Sequence, residues 1–431
     1  MSENESVGNG KGGIGLLNQF ELILDSDPLI DEVGFIHPSQ FTALSSELQA
    51  KDAILSSKID KVNVLDHEST SFWNRDHKLG ISMHVILPLY TAAKDAFMNA
   101  IKGFKRVENL SLEDDSCGFS SLESEVMKHS KALLLLSCDF GTAWNSRKLI
   151  LSKKQYMPMF IEELLLSALV LSYSPKSEQS WCHRRWVIKM ISGKCSTLQE
   201  ILGKESELVE KIAERSKMNY RAWNHRCWLV GYMTREQVLL ELKKSRYWAG
   251  LHVADSSCFH YRMRLMLRIL EQFCCKQDDE SSDHDVEICQ MWQEELQWNE
   301  ELIELYVGRE ALWLYRRFLS LCWIRHFISD IIHHSEHKSR VVANINEFLD
   351  HELCLVNSWS TIPDDDYEDF QAQAVHSATY ILWLMKQIPE SQGIELKKKL
   401  NAGNWKTMLN VACAERSSLW DSLATYLETS N

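Results

Sequence analysis

The sequence predicts an all-α protein, a solenoid in which helical hairpins stack side by side, and three observations support this fold class. The 431 residues include only 7 Pro and 17 Gly, few for a protein of short strands and turns. One short motif, an aromatic residue followed three positions later by arginine, recurs five times. Its spacing falls in the range of helix-pair repeats, which predicts a crescent built as an α-α superhelix.

The first 119 residues precede the repeats. Residues 1–13 are polar and rich in glycine, so they are expected to be disordered. Residues 14–119 are expected to form a helical cap region, with its clearest helical stretch at 81–101. The segment GKGGIG, residues 10–15, matches a dinucleotide-binding pattern, but no predicted strand precedes it and no βαβ pattern follows. A nucleotide site is therefore not predicted.

Five repeats are predicted over residues 120–325. Successive aromatic residues of the motif are 37, 42, 36 and 54 positions apart, and the last step contains the charged segment 277–287. This segment is predicted to be an exposed acidic insertion. Every repeat pairs an aromatic residue with an arginine: Trp144 with Arg147, Trp181 with Arg184, Trp223 with Arg226, Phe259 with Arg262, and Trp313 with Arg316.

The third repeat shows how one module is expected to fold. In LQEILGKESELVEKIAE, residues 198–214, apolar side chains recur along one helical face. RSKMN, residues 215–219, interrupts the pattern, and Asn219 can cap the next helix. Residues 220–230 then continue at helical spacing. Each repeat is therefore predicted to be a hairpin of a helix A followed by a helix B.

The motif residues themselves are predicted to pack hairpins together. Residues three apart share a helix face, so the aromatic side chain can fill the gap between two hairpins. The arginine beneath it can stack on an aromatic ring or pair with a carboxylate of a neighbouring A helix. Candidate carboxylates are Glu162, Glu163, Glu210 and Glu241. A partner would then meet an exposed surface rather than these ten residues.

Residues 326–431 are predicted to form further C-terminal helices, over 325–361 and 367–428, separated by the acidic turn PDDDYED at 363–369. HHSEH, residues 333–337, could place two histidines on one helix face. No further cysteine or histidine set follows at zinc-site spacing. We therefore predict no metal site in this chain.

Composition narrows the class of partner. The formal net charge of −13 argues against nucleic acid or an anionic membrane as the main partner. Twelve Cys without a CxxC pair, and an N-terminus without an apolar signal core, predict a reducing cytoplasmic setting. The most apolar stretch, residues 164–173, is too short to cross a membrane, so no membrane insertion is expected.

One repeat carries a more specific signature. NYxxWxxR, formed by Asn219, Tyr220, Trp223 and Arg226, and the WxHR variants elsewhere resemble the repeat of protein prenyltransferase α subunits. The resemblance covers roughly residues 120–325, and within that family the chain is most similar to the divergent repeat-containing members. It implies an α-type subunit in a crescent around a β subunit. That β subunit would hold the zinc and most of the isoprenoid pocket, with no cofactor in this chain.

The resemblance also implies a reaction, the transfer of a geranylgeranyl or farnesyl group from an isoprenoid diphosphate to a cysteine near the C-terminus of an acceptor protein. In that family a lysine directly before Asn-Tyr in the third repeat reaches the diphosphate. Met218 occupies that position here, with Lys217 one residue earlier, pointing about 100° away if the segment is helical. Carried over by position, the candidate catalytic residues are Lys217, Tyr220 and Arg226.

Two departures from the family pattern keep a second function open. Met218 replaces the lysine, and the fourth repeat has Asp255 and Phe259 where the family has asparagine and tryptophan. The alternative is a non-catalytic scaffold that kept the α-type fold and binds another partner, and a helical regulator unrelated to prenylation is a third possibility. The sequence leaves open the β partner, the isoprenoid length and the acceptor protein.

Overall fold

The computed structural model describes residues 3–41, 43, 71–109, 116–274, 282–328, 345–358, 368–388, 417–418, 420–421 and 425. The chain divides into two compact units, Met1–Arg226 and Cys227–Asn431, and the boundary falls inside a helix. The histidine cluster at 333–337, residues 277–281 of the acidic insertion and residues 363–367 of the acidic turn lie outside the described residues.

Two long helices and a small sheet open the first unit. The helices are α1, Glu3–Ser26, and α2, Ile86–Asn109. Between them in sequence lie β1, Glu32–Ile36, β2, Phe72–Arg75, and β3, Lys78–Ser82, in the order β1-β3-β2. β1 runs parallel to β3, and β2 runs antiparallel to it.

Hairpins follow in the first unit, each a helix A and a helix B. The helices are α3, Ser116–Leu136, with α4, Gly141–Lys154; α5, Met157–Tyr173, with α6, Glu178–Ile191; and α7, Leu198–Arg215, with α8, Tyr220–Leu229, which crosses the unit boundary. β1 contacts helix α5 of the second hairpin. The Val33 amide donates to the Ser172 hydroxyl at 3.1 Å, and Phe35 packs edge-on against Tyr173.

The second unit continues the same pattern. Its helices are α9, Arg235–Leu251, with α10, Ser256–Cys274; α11, Ser282–Leu305, with α12, Glu310–Phe327; and α13, Ile345–Ser358, with α14, Glu368–Met385. Within each unit, helix contacts run between neighbouring hairpins, as expected of a solenoid. The predicted fold class, an all-α helical repeat, is confirmed.

The N-terminal predictions need correction. Residues 3–13, expected to be disordered, begin helix α1, and the GKGGIG segment lies inside that helix. The cap region 14–119 is not purely helical, since it contains the three-stranded sheet. Gly80 leaves room for the adjacent strand, because a Cβ at that position would require the terminal methyl group of Ile36 to move.

Side-chain caps mark the first turns of two helices. The Ser177 hydroxyl accepts the Ser180 amide at the start of α6, and Thr234 and Gln237 form a reciprocal capping box at the start of α9. The insertion predicted at 277–287 is shorter than expected, because α11 already begins at Ser282, although Val286 and Glu287 are exposed.

Candidate functional site

The turn before α8 carries the residues that the family resemblance singles out. Asn219 is buried and caps α8 as predicted, since the Ala222 amide donates to its side-chain oxygen at 3.2 Å. Its side-chain amide donates to the Pro175 carbonyl at 2.9 Å. Pro175 lies in the turn before α6. The turn before α8 is therefore held against the equivalent turn of the preceding hairpin.

Met218 and Lys217 lie in this turn, outside both helices. Met218 has a φ of +54°, in the left-handed region, and its side chain is 59% exposed. Lys217 is also exposed. The segment is not helical, so the condition under which Lys217 would point about 100° away from Met218 is not met. Both side chains are accessible from solvent on the same turn.

Tyr220 begins α8 and is 61% exposed. Beside it, Arg221 donates to the Lys176 carbonyl and places its Nε 3.0 Å from Glu178. Lys176 is exposed and stands five residues before Trp181, as Met218 stands five before Trp223. The sequence reading missed Lys176 and Arg221 as cations of this edge, although aligning the second and third repeats would have revealed Lys176.

Arg226 is not part of this exposed edge. Its side chain is 1% exposed, and its guanidinium lies 5.4 Å from the ring centroid of Trp223. The closest approach to Glu210, a carboxylate proposed as its partner, is long at 3.9 Å. A diphosphate in solvent has no access to this guanidinium. Arg226 is therefore withdrawn as a catalytic candidate and assigned to packing.

All ten motif residues are buried. Four of these arginines, Arg147, Arg184, Arg262 and Arg316, donate to a carbonyl of their own A helix and to a glutamate of the next, as Arg184 illustrates. Its Nη1 donates to the Leu164 carbonyl and to the Ser167 hydroxyl of its own A helix, the latter at 2.9 Å. Its Nε donates to Glu205 on the A helix of the next hairpin at 2.9 Å. The arginine thus ties together the A helices of two consecutive hairpins.

The glutamate receives a second donor from its own hairpin. Glu205 accepts from His225 at 3.0 Å, and Glu241 accepts from Tyr261 at 2.7 Å. We call the arginine, the glutamate and this histidine or tyrosine the junction network. Networks of this form include Arg147–Glu163–His183, Arg184–Glu205–His225, Arg262–Glu295–Tyr315 and Arg316–Glu352–Tyr380.

Electrostatics fix the protonation states in the network. Burial alone would raise the pKa of Glu163 and Glu205, but the neighbouring arginines and histidines lower it to about 2 for each. Burial lowers the pKa of His183 and His225 despite their carboxylate partners. Each histidine is therefore neutral near pH 7 and donates its Nε2 proton to a charged glutamate. The buried Nδ1 of His183 has no hydrogen-bond partner among the described residues.

The network identifies α13 and α14 as a sixth hairpin. The sequence predicted only further C-terminal helices in this region. Arg316 pairs with Glu352 of α13 at 2.6 Å, and the Tyr380 hydroxyl of α14 donates to Glu352 at 2.6 Å. In α14, Ala378 takes the place of the motif aromatic residue and Ile381 that of the arginine. The repeat motif is therefore absent from this hairpin although its packing is retained.

The described residues show neither a metal-binding cluster nor a membrane-spanning helix. The described residues contain no group of three or more His, Cys, Asp and Glu side chains arranged to hold a metal ion. Within the same residues, no helix combines the length and the apolar character needed to span a membrane.

Comparison with known proteins identifies the repeat. The family described as "Protein prenyltransferase alpha subunit repeat" matches residues 160–191, 202–233 and 292–323, which fall on the second, third and fifth hairpins. Over these three segments the chain is similar to that repeat. The first hairpin, the fourth and the sixth lie outside the matches.

Relatives of this repeat family align with the chain in part. "Protein prenyltransferase alpha subunit repeat-containing protein 1" of Danio rerio is 31% identical over 275 residues, which cover 55% of this chain and 64% of the relative. The Homo sapiens protein of the same name is 30% identical over 236 residues, 45% of this chain and 58% of the relative. "Geranylgeranyl transferase type-2 subunit alpha" of Saccharomyces cerevisiae is 24% identical over 155 residues, 34% of this chain and 46% of the relative. The chain thus spans less than two thirds of each.

Proposed function

We propose that this chain is the α-type subunit of a heterodimeric protein prenyltransferase whose chemistry is centred on a β subunit. The observation that carries the proposal is the similarity to the protein named Geranylgeranyl transferase type-2 subunit alpha. In this proposal the β subunit holds zinc, and the complex transfers a geranylgeranyl or farnesyl group from an isoprenoid diphosphate to a C-terminal cysteine of an acceptor protein. A cytoplasmic location is part of the same proposal.

The exposed turn before α8 gives this chain a defined part in the reaction. Negative charge builds on the diphosphate as the prenyl group leaves, and a positioned cation stabilises that charge more than it stabilises bound substrate. Lys217 supplies an accessible ammonium in the turn, and the exposed Tyr220 hydroxyl can donate to a phosphate oxygen. Arg221 is already held by Glu178, which makes it the weaker candidate.

Co-expression tests the heterodimer. The full chain is produced with each prenyltransferase β subunit of its source organism, and a stable pair is expected to co-purify. An interface of this kind buries more than about 2,000 Å² in obligate complexes, so the chain alone is expected to be poorly soluble or to self-associate. A monodisperse chain that shows no β-subunit binding in calorimetry would contradict the proposal.

Substitutions in the turn test the role of Lys217 in the purified complex. Lys217→Ala is expected to lower kcat on the order of 10²-fold with the heterodimer intact, as for loss of one electrostatic stabiliser. Met218→Ala should change turnover by only a few-fold, and Met218→Lys should leave it unchanged or faster. Lys204→Ala, which removes an exposed lysine of α7, is the matched control and should leave turnover unchanged. Normal turnover by Lys217→Ala would assign the diphosphate contacts to the β chain.

A non-catalytic scaffold remains the second candidate, and one observation favours it. The residue at the family's lysine position is Met218, an exposed side chain that carries no charge. In this alternative the hairpins bind a partner without supporting transfer. A complex with a β subunit that assembles but turns over no prenyl diphosphate, with Met218→Lys equally inactive, would select the scaffold over the enzyme.

A further inference from the structure

A groove in the second unit separates the B helices α12 and α14. Its volume is about 540 Å³, within the range of about 300–1,000 Å³ typical of ligand pockets. Leu314 and Val375 give it apolar walls, and Thr379 and Gln371 add polar groups. Arg317 also lines this groove.

Arg317 makes no direct ion pair among the described residues. Among the described residues it forms no ion pair and no side-chain hydrogen bond, and its Nε is buried without an acceptor. Its guanidinium lies 5.8 Å from the ring centroid of Trp383, so an aromatic face supports it. The preceding residue, Arg316, is by contrast fully paired with Glu352. The carboxylate that acts on Arg317 is that of Glu310, which forms no direct ion pair with it.

Arg317 shares the groove with two glutamates and a histidine. Burial lowers the pKa of Arg317, and Glu310, two turns earlier on α12, offsets this effect only in part. Burial also lowers the pKa of His376 on the facing helix, so this side chain is neutral near pH 7. Glu368 lies with Glu310 at the end of the groove where both helices begin. The groove thus presents one cation beyond an acidic end.

The first unit repeats half of this arrangement. Lys148 follows Arg147 as Arg317 follows Arg316, and its ammonium lies 6.0 Å from the ring centroid of Trp186. Lys148 also has no carboxylate partner among the described residues. Trp186 and Trp383 occupy the same position in their hairpins, five residues after the motif aromatic position. A cation beside an indole is therefore a recurring feature of these B helices.

We propose that the groove between α12 and α14 binds a peptide segment of another protein through one carboxylate. The carboxylate pairs with the planar guanidinium of Arg317, which presents parallel donors suited to two carboxylate oxygens. Apolar side chains of the peptide pack on Leu314 and Val375. The acidic end formed by Glu310 and Glu368 disfavours a polyanion, so a single carboxylate fits better than a diphosphate.

Two peptide pools test the proposal with the full-length chain. Both are capped peptides with flanks randomised among Ala, Leu, Val and Thr, and the central residue is glutamate in one pool and glutamine in the other. The immobilised chain is expected to retain the glutamate pool at least about tenfold more strongly, as for a charge-assisted hydrogen bond. Arg317→Met should abolish this preference, and Lys204→Ala, which removes an exposed lysine of α7, should not. Equal retention of the two pools, or an unchanged preference in Arg317→Met, overturns the proposal.

A stability measurement separates a binding residue from a structural one. Arg317→Met is expected to leave the Tm unchanged or raise it, because it removes a half-buried charge that Glu310 balances only in part. Arg316→Met, one residue earlier, should lower the Tm sharply because it strands the buried Glu352. Equal losses of Tm for the two variants would make Arg317 a structural residue and overturn the assignment.

Discussion

Each buried arginine of the repeats depends on two neighbouring helices at once. The Arg184 guanidinium is 3% exposed, and a charge so deeply buried is stable only when hydrogen bonds and an opposite charge replace water. Glu205 supplies the charge, and the Leu164 carbonyl and Ser167 hydroxyl supply the remaining acceptors. The net contribution of the ion pair to the free energy of unfolding is therefore small, whereas removing one partner is strongly destabilising.

Breaking one such pair gives the first prediction. Arg184→Met should lower the free energy of unfolding by about 3–5 kcal/mol, because it leaves Glu205 buried without its counter-charge. Arg185→Met removes the next residue, whose partner Glu178 is on the surface, and should cost less than about 1 kcal/mol. Urea denaturation measures both. Similar losses for the two variants would contradict the role given to the junction network.

A second prediction concerns the motif aromatic residue. Trp223 is 1% exposed, so Trp223→Ala should lower the free energy of unfolding by about 3–5 kcal/mol. Tyr220→Ala removes an exposed ring of the same helix and should change stability by less than about 0.5 kcal/mol. Thermal unfolding of both variants is the measurement, and an unchanged Tm for Trp223→Ala would reject the packing role.

The two buried histidines predict a pH dependence. Their pKa is lowered in the folded chain, so the unfolded chain binds more protons once the pH falls below about 6.5. Stability should therefore be full above that pH and decline below it. Glu163 and Glu205, with a folded pKa of about 2 against an ordinary value of about 4.3, add a second loss of the same sign at lower pH.

Tyrosine offers a matched variant for this prediction, because Tyr315 makes the same hydrogen bond in another hairpin and burial raises its pKa well above the ordinary value. The double variant His183→Tyr, His225→Tyr should flatten the decline between about pH 6.5 and pH 5, measured as unfolding free energy in urea. A decline as steep as that of the unchanged chain would show that other groups cause it.

At the scale of elements, the turns before the B helices show how much local conformation matters. Met218 and Gly308 both precede the motif aromatic position by five residues, and both have positive φ, +54° and +77°. Glycine adopts this region without strain, whereas a side chain does not. A Cβ on Gly308 would also lie 2.7 Å from the Asp369 carbonyl oxygen. The same turn thus has a strained and an unstrained version in one chain.

Opposite substitutions at these equivalent positions give a prediction with opposite signs. Met218→Gly should raise the free energy of unfolding by about 0.5–1 kcal/mol by relieving the left-handed strain. Gly308→Ala should lower it by about 1–3 kcal/mol, since it adds strain and a backbone collision. Equilibrium urea unfolding gives both values. If the two changes had the same sign, backbone strain would not govern the turn.

Sequence patterns predicted the elements best where a single helix carried the signal. The hairpin of α7 and α8 and the Asn219 cap follow from spacing within a few turns. Glu205 was missed because it lies on a different helix from Trp223, and the constant spacing of 18 residues appears only when the repeats are aligned. Four glutamates then stand 18 residues before the motif aromatic residue: Glu163, Glu205, Glu241 and Glu295. The sheet was missed because β1 pairs with a strand more than forty residues away.

The candidate site was predicted only in part for a related reason. Position in the motif identified Lys217 and Tyr220, and both are exposed at the turn. The same motif also nominated Arg226, which burial excludes, because a sequence pattern records identity and spacing but not solvent access. The groove at Arg317 depends on α14, a helix whose hairpin has lost the motif, so no sequence signal pointed to it.

At the scale of the whole molecule, the junction network has defined ends. In the first hairpin Val126 occupies the position of the glutamate, 18 residues before Trp144, and in the sixth Ile381 occupies the position of the arginine. Both replacements are buried and apolar. The first hairpin therefore needs no preceding arginine, and the sixth needs no following glutamate. The two apolar replacements close the network without leaving a buried charge unpaired.

Shortening the chain tests this closure. A chain ending at residue 330 keeps Arg316 but loses Glu352, and it should unfold at a lower temperature or accumulate as insoluble protein. Adding Arg316→Ile, which copies the apolar Ile381, should recover part of the soluble yield and of the Tm. No gain from Arg316→Ile would show that lost apolar contacts, rather than the stranded charge, limit the shortened chain.

The order of arginine and glutamate along the chain also determines when each pair can form during synthesis on the ribosome. In the four networks given above the arginine is synthesised first, and its glutamate follows 16, 21, 33 or 36 residues later. A newly made hairpin thus carries a cation that it cannot bury until the next A helix has left the exit tunnel. Protease protection of nascent chains should accordingly lag one hairpin behind translation, and a ribosome that stalls between the two residues would expose the unfinished hairpin to quality control.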